Sequence, residues 1–259
     1  AGEARNPEVF YQFEKATGLR IHEGFGQTEM TLGIANLYGT EIKPGAMGKP
    51  VPGYGIDIVD ADGNPTCDYF SIYPPKEGDK VIYLTFDDGP IPEYTSRVLD
   101  ILVHYGVKAT FFMVGENAAR YPDLVERVRN EGHAIGNHTY HHLRGCRVDV
   151  ETYISDVQQA NQILDTRLFR PPHGRMSWAQ KKALQALGYR VVLWDVLTHD
   201  YNPRYSAKYM MKIIKRYTRN GSIITMHDSL KSGERMLELL PHLIEWLVAQ
   251  GYTIQPLKL

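Results

Sequence analysis

Cysteine is scarce: the 259 residues hold two, Cys67 and Cys146. Two thiols cannot build the disulfide framework of a small secreted scaffold, and their spacing suits no zinc knuckle, so both are expected to be free. No stretch approaches the roughly 18 consecutive apolar residues of a membrane span. No basic run stands out, and the formal net charge is −1 with a pI of about 6.9. The electrostatic footprint that nucleic acid or anionic lipid demands is therefore missing. Residues 1–7 are polar and begin without Met, unlike a secretory leader; the chain is expected to start inside a longer sequence or after processing. What remains is ordinary for a globular protein: 43% apolar and 23% charged residues, in a chain long enough to bury a sizeable core.

Charge divides the chain unevenly. Residues 1–67 carry 5 Lys/Arg against 9 Asp/Glu, a net of −4, whereas the remainder carries 24 against 21, a net of +3. The first piece is glycine-rich around 24–26 and 45–55. It offers one helix-like stretch over 7–17, with Pro7 at a first-turn position, and one strand over 54–59 before the turn Asp62-Gly63-Asn64-Pro65. That is too little to bury a core of its own. A linker-like stretch over 68–79 separates it from the second piece.

The second piece opens on Val81-Ile82-Tyr83-Leu84-Thr85-Phe86, a continuous apolar run of the kind found in strands buried on both faces. A helical pattern follows, carrying Val98, Leu102 and Tyr105 on one face and stopping at Gly106. Further strands are expected over 109–114, 134–137, 168–171, 190–194, 222–227 and 252–255, and helices over 122–131, 150–164, 177–187, 206–218 and 234–250. Seven such steps predict a mostly parallel α/β sheet with right-handed crossovers. A (β/α) barrel is the first choice and an open doubly wound sheet the second.

In either architecture, sites form where strands run out at their carboxyl ends. The polar outliers sit there: Asp87-Asp88-Gly89, His138-Thr139-Tyr140-His141-His142, Arg170-Pro171-Pro172-His173, Trp194-Asp195 with Asp200-Tyr201 beyond, and His227-Asp228. Singly, an Asp-Asp-Gly is a turn and a His-x-x-x-His pair a surface face; five endings on one face of a sheet are a site. His138 and His142 are four apart, so on a helical turn they share a face. Two imidazoles and one carboxylate make a zinc-type site with open positions, with Asp88 the natural third ligand. Asp87 and Asp88 need compensation to stay charged side by side; a metal on one and Arg170 on the other supply it. His227 stays free to donate a proton. His22, His104, His133 and His242 read as structural or surface groups, while His141 and His199 lie near the site without an assigned task.

At these residues the sequence resembles the NodB-like polysaccharide deacetylases, carbohydrate esterase family 4, over about residues 80–259. Thr85-Phe86-Asp87-Asp88-Gly89, His138 to His142, Arg170-Pro171-Pro172, Asp200-Tyr201 and Ile224 to His227 stand in the order of the five family motifs. The resemblance implies a distorted (β/α)7 barrel and a metal-dependent hydrolase that removes acetyl groups from an N-acetylglucosamine polymer or oligomer, or from acetylated xylan. It implies Asp87 as general base, His227 as general acid, Arg170 orienting the base and Asp200 orienting His227. Asp88, His138 and His142 would hold one divalent metal, zinc first, with cobalt, nickel or manganese as alternatives. The backbone of His173 would meet the oxyanion, and Pro172, Trp194, Tyr201 and Ile224 would line the substrate pocket. The sequence departs from the pattern at His173, where relatives carry Tyr, at Leu197, where many carry Asp, and at Tyr201, where they carry Trp. A monomer acting outside the cytoplasm, extracellular or periplasmic, is expected.

Residues 1–67 resemble something else. Ala1-Gly2-Glu3, Gly24-Phe25-Gly26-Gln27-Thr28-Glu29 and Pro44-Gly45-Ala46-Met47-Gly48-Lys49-Pro50 are similar to an internal stretch of adenylate-forming acyl-CoA synthetases. The phosphate loop and the late catalytic lysine of those enzymes are missing, so the piece is expected to be a fragment without ligase activity. Two rival functions remain at this point: a catalytically inactive sugar-binding module, opposed by the intact Asp87, Asp88 and His227, and an adenylate-forming ligase, opposed by the missing motifs.

Overall fold

The computed structural model describes residues 80–258 and, before them, Lys15 and three strands: β1 (Gly24–Gln27), β2 (Met30–Ala35) and β3 (Lys49–Pro50). The chain divides into two units, Ala1–Phe70 and Ser71–Leu259. In the first, β1 and β2 pair antiparallel with Phe25 opposite Ile34, and β3 pairs antiparallel with β2 through Ile34 and Pro50. The sequence reading placed no strand in this glycine-rich segment. Of the helix expected over 7–17, Lys15 alone is described, and it is helical. The strand expected over 54–59, the linker over 68–79 and Cys67 lie outside the described residues.

The second unit is built on β4 (Val81–Asp87), whose seven residues are all buried. Such a strand can sit only where both sheet faces are covered, hence at the centre of a parallel sheet. Its neighbours are β5 (Thr110–Met113), β6 (Ala134–Asn137), β7 (Leu168–Phe169), β8 (Arg190–Val191), β9 (Val196–Leu197), β10 (Ile223–His227) and β11 (Thr253–Ile254). The order is β8-β7-β6-β5-β4-β10-β9, with β11 pairing the first residues of β4, and every pairing is parallel. The two ends of that path, β8 and β9, are successive in sequence, the order of a barrel-type sheet. The helices are α1 (Pro92–His104), α2 (Gly115–Arg120), α3 (Pro122–Asn130), α4 (Val150–Leu164), α5 (Trp178–Ala186), α6 (Ala207–Tyr217) and α7 (Gly233–Ala249).

Strand alternation sorts the core into two layers. Ile82, Leu84, Phe86, Phe111, Met113, Ile135, Ile224 and Met226 face the helices, meeting Leu99, Leu102, Leu240 and Leu243. Phe86 and Phe111 stack at 5.0 Å between ring centres. Val81, Tyr83, Phe112, Leu168 and Ile223 form the smaller inner layer. Each such large side chain contributes about 1.5–3 kcal/mol by leaving water. The inner layer gives way to polar groups at the carboxyl ends of the strands, and there the site lies.

Two elements differ from the sequence reading. The strand expected over 190–194 ends at Val191, and β9 is a separate strand. The short helix α2, not expected at all, follows β5 directly.

Candidate active site

Arg170 leaves β7 fully buried, and its guanidinium is the hub of the site. Nη1 donates to Asp87 Oδ1 at 2.6 Å and to Thr85 Oγ1 at 2.8 Å; Nε and Nη2 donate to the carbonyls of Val192 (3.1 Å) and Leu193 (2.9 Å). The guanidinium lies 4.0 Å from the centre of the Phe112 ring and 5.7 Å from that of Trp194. A buried cation persists only when it is paired and its donors are met, and both conditions hold. Asp87, 2% exposed, is the partner, so one oxygen of this carboxylate is fixed by charge and geometry.

One residue on, Asp88 adopts a left-handed backbone (φ 80°). Its Oδ1 lies 3.3 Å from His142 Nε2 and 3.7 Å from His138 Nε2, and the three side chains present one ligand atom each within 4.8 Å of one another. Ligands about 2.0–2.1 Å from a shared zinc ion stand roughly 3.3 Å apart, so this donor set fits a divalent cation. His138 Nδ1 lies 2.8 Å from the Arg170 carbonyl. A carbonyl can only accept, so Nδ1 carries the proton and Nε2 keeps a free lone pair, the arrangement metal-ligating histidines use. Burial pulls His138 down to about 4, with Asp87 opposing, so its ring is neutral at pH 7. Burial pushes Asp88 up, but the hydrogen bond to His142 and the charge of His227 outweigh it and hold the carboxyl below its usual range.

The two histidines do not share a helical face, as their spacing suggested. Residues 138–142 form a loop with positive φ at Thr139 (64°) and His142 (54°). Local polar side chains, which compete with helical bonding, shape it. Asn137 Oδ1 accepts from Thr139 N at 2.9 Å, Thr139 Oγ1 accepts from Leu143 N at 3.0 Å, and Asn137 Nδ2 donates to the Val157 carbonyl at 2.9 Å. The outcome is nevertheless a facing pair, with ring centres 5.1 Å apart. The unexpected α2 braces both ligand loops. Its first N–H groups, which a helix leaves unpaired, donate from Gly115 to the Thr139 carbonyl and from Glu116 to the Tyr140 carbonyl, while Asn117 Nδ2 donates to the Asp88 carbonyl.

His227 ends β10 opposite Asp87. Its Nδ1 lies 2.7 Å from Asp200 Oδ1, and its backbone N–H donates to Asp200 Oδ2 at 2.7 Å. Asp200 is fully buried beyond β9, and Arg235 Nε donates to its carbonyl at 2.7 Å. Burial alone lowers His227; the hydrogen bond and charge of Asp200, with Asp87 and Asp88 adding, raise it to about 9. Tyr201 meets the His227 ring edge-on at 5.4 Å, and its hydroxyl is tied to His199 Nδ1 at 2.9 Å. His199, left open by the sequence, thus fixes the Tyr201 ring against His227.

Pro172, His173 and Gly174 form a single 3-10 turn after β7, in which His173 has φ 59°. Its N–H lies in the first turn, where a helix offers no acceptor. The His173 ring packs edge-on against His142 at 4.9 Å, and Nε2 accepts from Arg144 Nε at 3.1 Å. Gly174 has φ 68°, and a Cβ there would come within 2.6 Å of Trp194, which brings Trp194 against this turn. Ile224 is not brought to the site. It lies in the helix-facing layer, because Thr225 and His227 on the same strand take the inner face. Sequence reasoning placed Asp228 at the end of its strand and gave it no task. This buried carboxylate accepts from Gly89 N (3.1 Å) and Thr95 Oγ1 (2.5 Å), tying β10 to the turn behind Asp88. A side chain at Gly89 would collide with it. Burial, with the charge of Asp88 adding and the Thr95 bond opposing, raises Asp228 to about 8. Its place directly after His227 was the one available signal. Buried His133 accepts the Ala109 N–H, and His104 and His242 take no part in the site. His22 lies outside the described residues, and Cys146 is an exposed free thiol.

Known proteins are similar to this chain in sequence and fold. The polysaccharide deacetylase profile matches residues 75–192. A peptidoglycan-N-acetylglucosamine deacetylase of Bacillus cereus is 35% identical over 182 residues, 67% of this chain and 84% of the relative. The chain belongs to the polysaccharide deacetylase family. A chitooligosaccharide deacetylase of Azorhizobium caulinodans is 33% identical over 68% of this chain and 92% of its own. The crystal structure of the Bc1960 peptidoglycan N-acetylglucosamine deacetylase superposes with a TM-score of 0.67 at 33% identity, covering 70% of this chain and 87% of that one. Members of this family are metal-dependent hydrolases, and the second unit has their α/β fold. Residues 1–69 match a different profile, AMP-binding enzyme, so two unrelated family signatures meet in one chain.

Proposed function

We propose that this protein hydrolyses the acetamide of N-acetylglucosamine units in a glycan, with a divalent cation, zinc first, held by Asp88, His138 and His142. The observation that carries this reading is the placement of two acid–base groups beside one ligand triangle: Asp87 locked on Arg170, and His227 locked on Asp200. Lewis acidity is what such a cation supplies when bound, easing deprotonation of water and polarising a carbonyl. Asp87 accepts the proton of the attacking water at the oxygen that Arg170 leaves free. The N–H of His173 donates to the developing oxyanion, the kind of contact whose loss costs about 3 kcal/mol. His227, protonated at neutral pH, gives its Nε2 proton to the departing amine while Asp200 holds Nδ1–H, a contribution of about 10²–10⁴ in rate. Pro172, Trp194 and Tyr201 wall the cleft. The names of the relatives favour N-acetylated over O-acetylated substrates, and a cell-wall or chitin substrate places the reaction outside the cytoplasm. Among the described residues no helix is long and apolar enough to cross a membrane. Residues 1–67 contribute no ligase activity in this reading, and the catalytic domain spans 80–259.

Acetate release from chitooligosaccharides and peptidoglycan, measured beside acetylated xylan, tests the reading. Release from the first two is expected. Release from xylan alone would replace N-deacetylation by ester hydrolysis, and release from none would leave a binding module.

A further inference from the structure

The loop that carries both histidine ligands is anchored from outside the site by one residue. Asp156 lies on the inner face of α4 and is 6% exposed. Its Oδ2 accepts two consecutive backbone N–H groups, from Tyr140 at 2.8 Å and His141 at 3.1 Å, and its Oδ1 lies 2.5 Å from His141 Nδ1. All three donors belong to the segment between His138 and His142. On its other side the segment is held by α2, whose Gly115 and Glu116 N–H groups meet the carbonyls of Thr139 and Tyr140. The loop is thus fixed through its N–H groups by α4 and through its carbonyls by α2. It needs such fixing, because Thr139 and His142 occupy left-handed conformations that non-glycine residues hold only when their surroundings impose them. His141 itself does not join the donor triangle; its ring is half exposed and spends its Nδ1 on Asp156.

We infer that Asp156, with His141, is a positioning device that sets the spacing of the two histidine ligands and so determines how tightly the divalent cation is held. This rests on the metal reading of Asp88, His138 and His142. Without Asp156 the N–H groups of Tyr140 and His141 turn to water, the loop relaxes toward ordinary backbone conformations, and His142 no longer faces Asp88. An amide at the same place can keep all three bonds. Its oxygen takes the two N–H groups, and its NH₂ donates to His141 Nδ1 in the other tautomer.

The test is the zinc affinity of the metal-stripped full-length chain, measured by competition with a chromogenic chelator, with thermal unfolding of the same apo samples. Asp156→Ala is expected to bind zinc about tenfold or more weakly, the scale on which partners supporting metal ligands act. Asp156→Asn is expected to stay within about threefold of the parent, since its hydrogen bonds survive. Asp149→Ala is the control. It removes the N-cap of the same helix, whose Oδ1 accepts from Thr152 N at 2.8 Å, without touching the loop. It should lower thermal stability and leave zinc affinity unchanged. Equal affinity in Asp156→Ala and the parent, or an equal loss in Asp149→Ala, overturns the inference. If Asp156→Ala does not fold, His141→Phe decides, since it leaves the two backbone bonds and deletes the third. A loss of about fivefold, the worth of one hydrogen bond, supports the inference, and affinity within about threefold of the parent overturns it. A parent chain that binds no zinc defeats the metal reading itself, a result distinguishable from the others.

Discussion

Replacing Asp200 by Asn removes one charge from this site. Among the described residues the carboxylate hydrogen-bonds to one titratable side chain, His227, through ring and backbone at 2.7 Å each, and its charge also reaches His199 and Tyr201. Burial pulls His227 below its ordinary value of 6.5, and Asp200 is the first of the groups that carry it to about 9. An amide that keeps its oxygen on Nδ1–H removes the charge, together with the acceptor of the His227 backbone N–H, so His227 returns to about 6.5 or lower. At pH 8 a group of pKa about 9 is roughly nine-tenths protonated and one of about 6.5 is roughly 3% protonated, a thirtyfold difference in competent acid; at pH 6 the two are nearly equal. The expected result is a variant within a few-fold of the parent at pH 6 and about thirtyfold slower at pH 8, its alkaline limb displaced to lower pH. The assay is kcat/KM for acetate release from a chitooligosaccharide between pH 5.5 and 10. Two parallel profiles, with a constant deficit at every pH, would refute the reasoning and leave Asp200 a purely geometric part.

Other variants address the neighbouring groups. Asp87→Asn and His227→Ala should each lose at least about 10²-fold in kcat while keeping metal and fold, the size of an acid–base contribution; parent-like turnover in either removes its assigned role. Arg170→Met strands the Asp87 carboxylate in the interior and should lower stability by about 3–5 kcal/mol in urea unfolding, with much of the loss recovered when Asp87→Asn is added; additive losses would mean the pair is not coupled. A chain beginning at Asp68 should remain soluble, bind metal and deacetylate at the parent rate, and the full chain should release no pyrophosphate from ATP with acetate. Loss of activity on truncation would make residues 1–67 part of the working enzyme.

The barrel-type fold was legible because its signal is long-range and repeated: apolar runs such as 81–86 alternating with amphipathic helices such as 150–164. What escaped was short. A two-residue strand, β9, gives no period to read, and the six residues of α2 begin with glycine, a poor helix former, and end against the Pro122 that opens the next helix. The grouping of Asp88 with His138 and His142 was legible from chemistry and resemblance, but its geometry was not. The expected helical face is a strained loop, fixed by Asn137, Thr139 and Asp156, residues whose tasks follow from contacts up to 20 positions apart in sequence. Ile224 shows the reverse failure. A motif position carried it into the pocket, while strand alternation turns it to the helix layer. Asp228 stood beside His227 in plain view, but its meaning depends on Thr95 and Gly89, some 130 residues earlier.

If deacetylation here runs on a divalent cation held by Asp88, His138 and His142, metal content and activity must rise and fall together. The most direct measurement combines elemental analysis with acetate release from a chitooligosaccharide before chelation, after chelation and after zinc is restored, in the parent and in His142→Ala. The expected result is one bound divalent cation per parent chain, activity that disappears with the metal and returns with zinc, and a His142→Ala chain that neither retains metal nor recovers. Undiminished acetate release from a parent chain shown to be free of metal would contradict it.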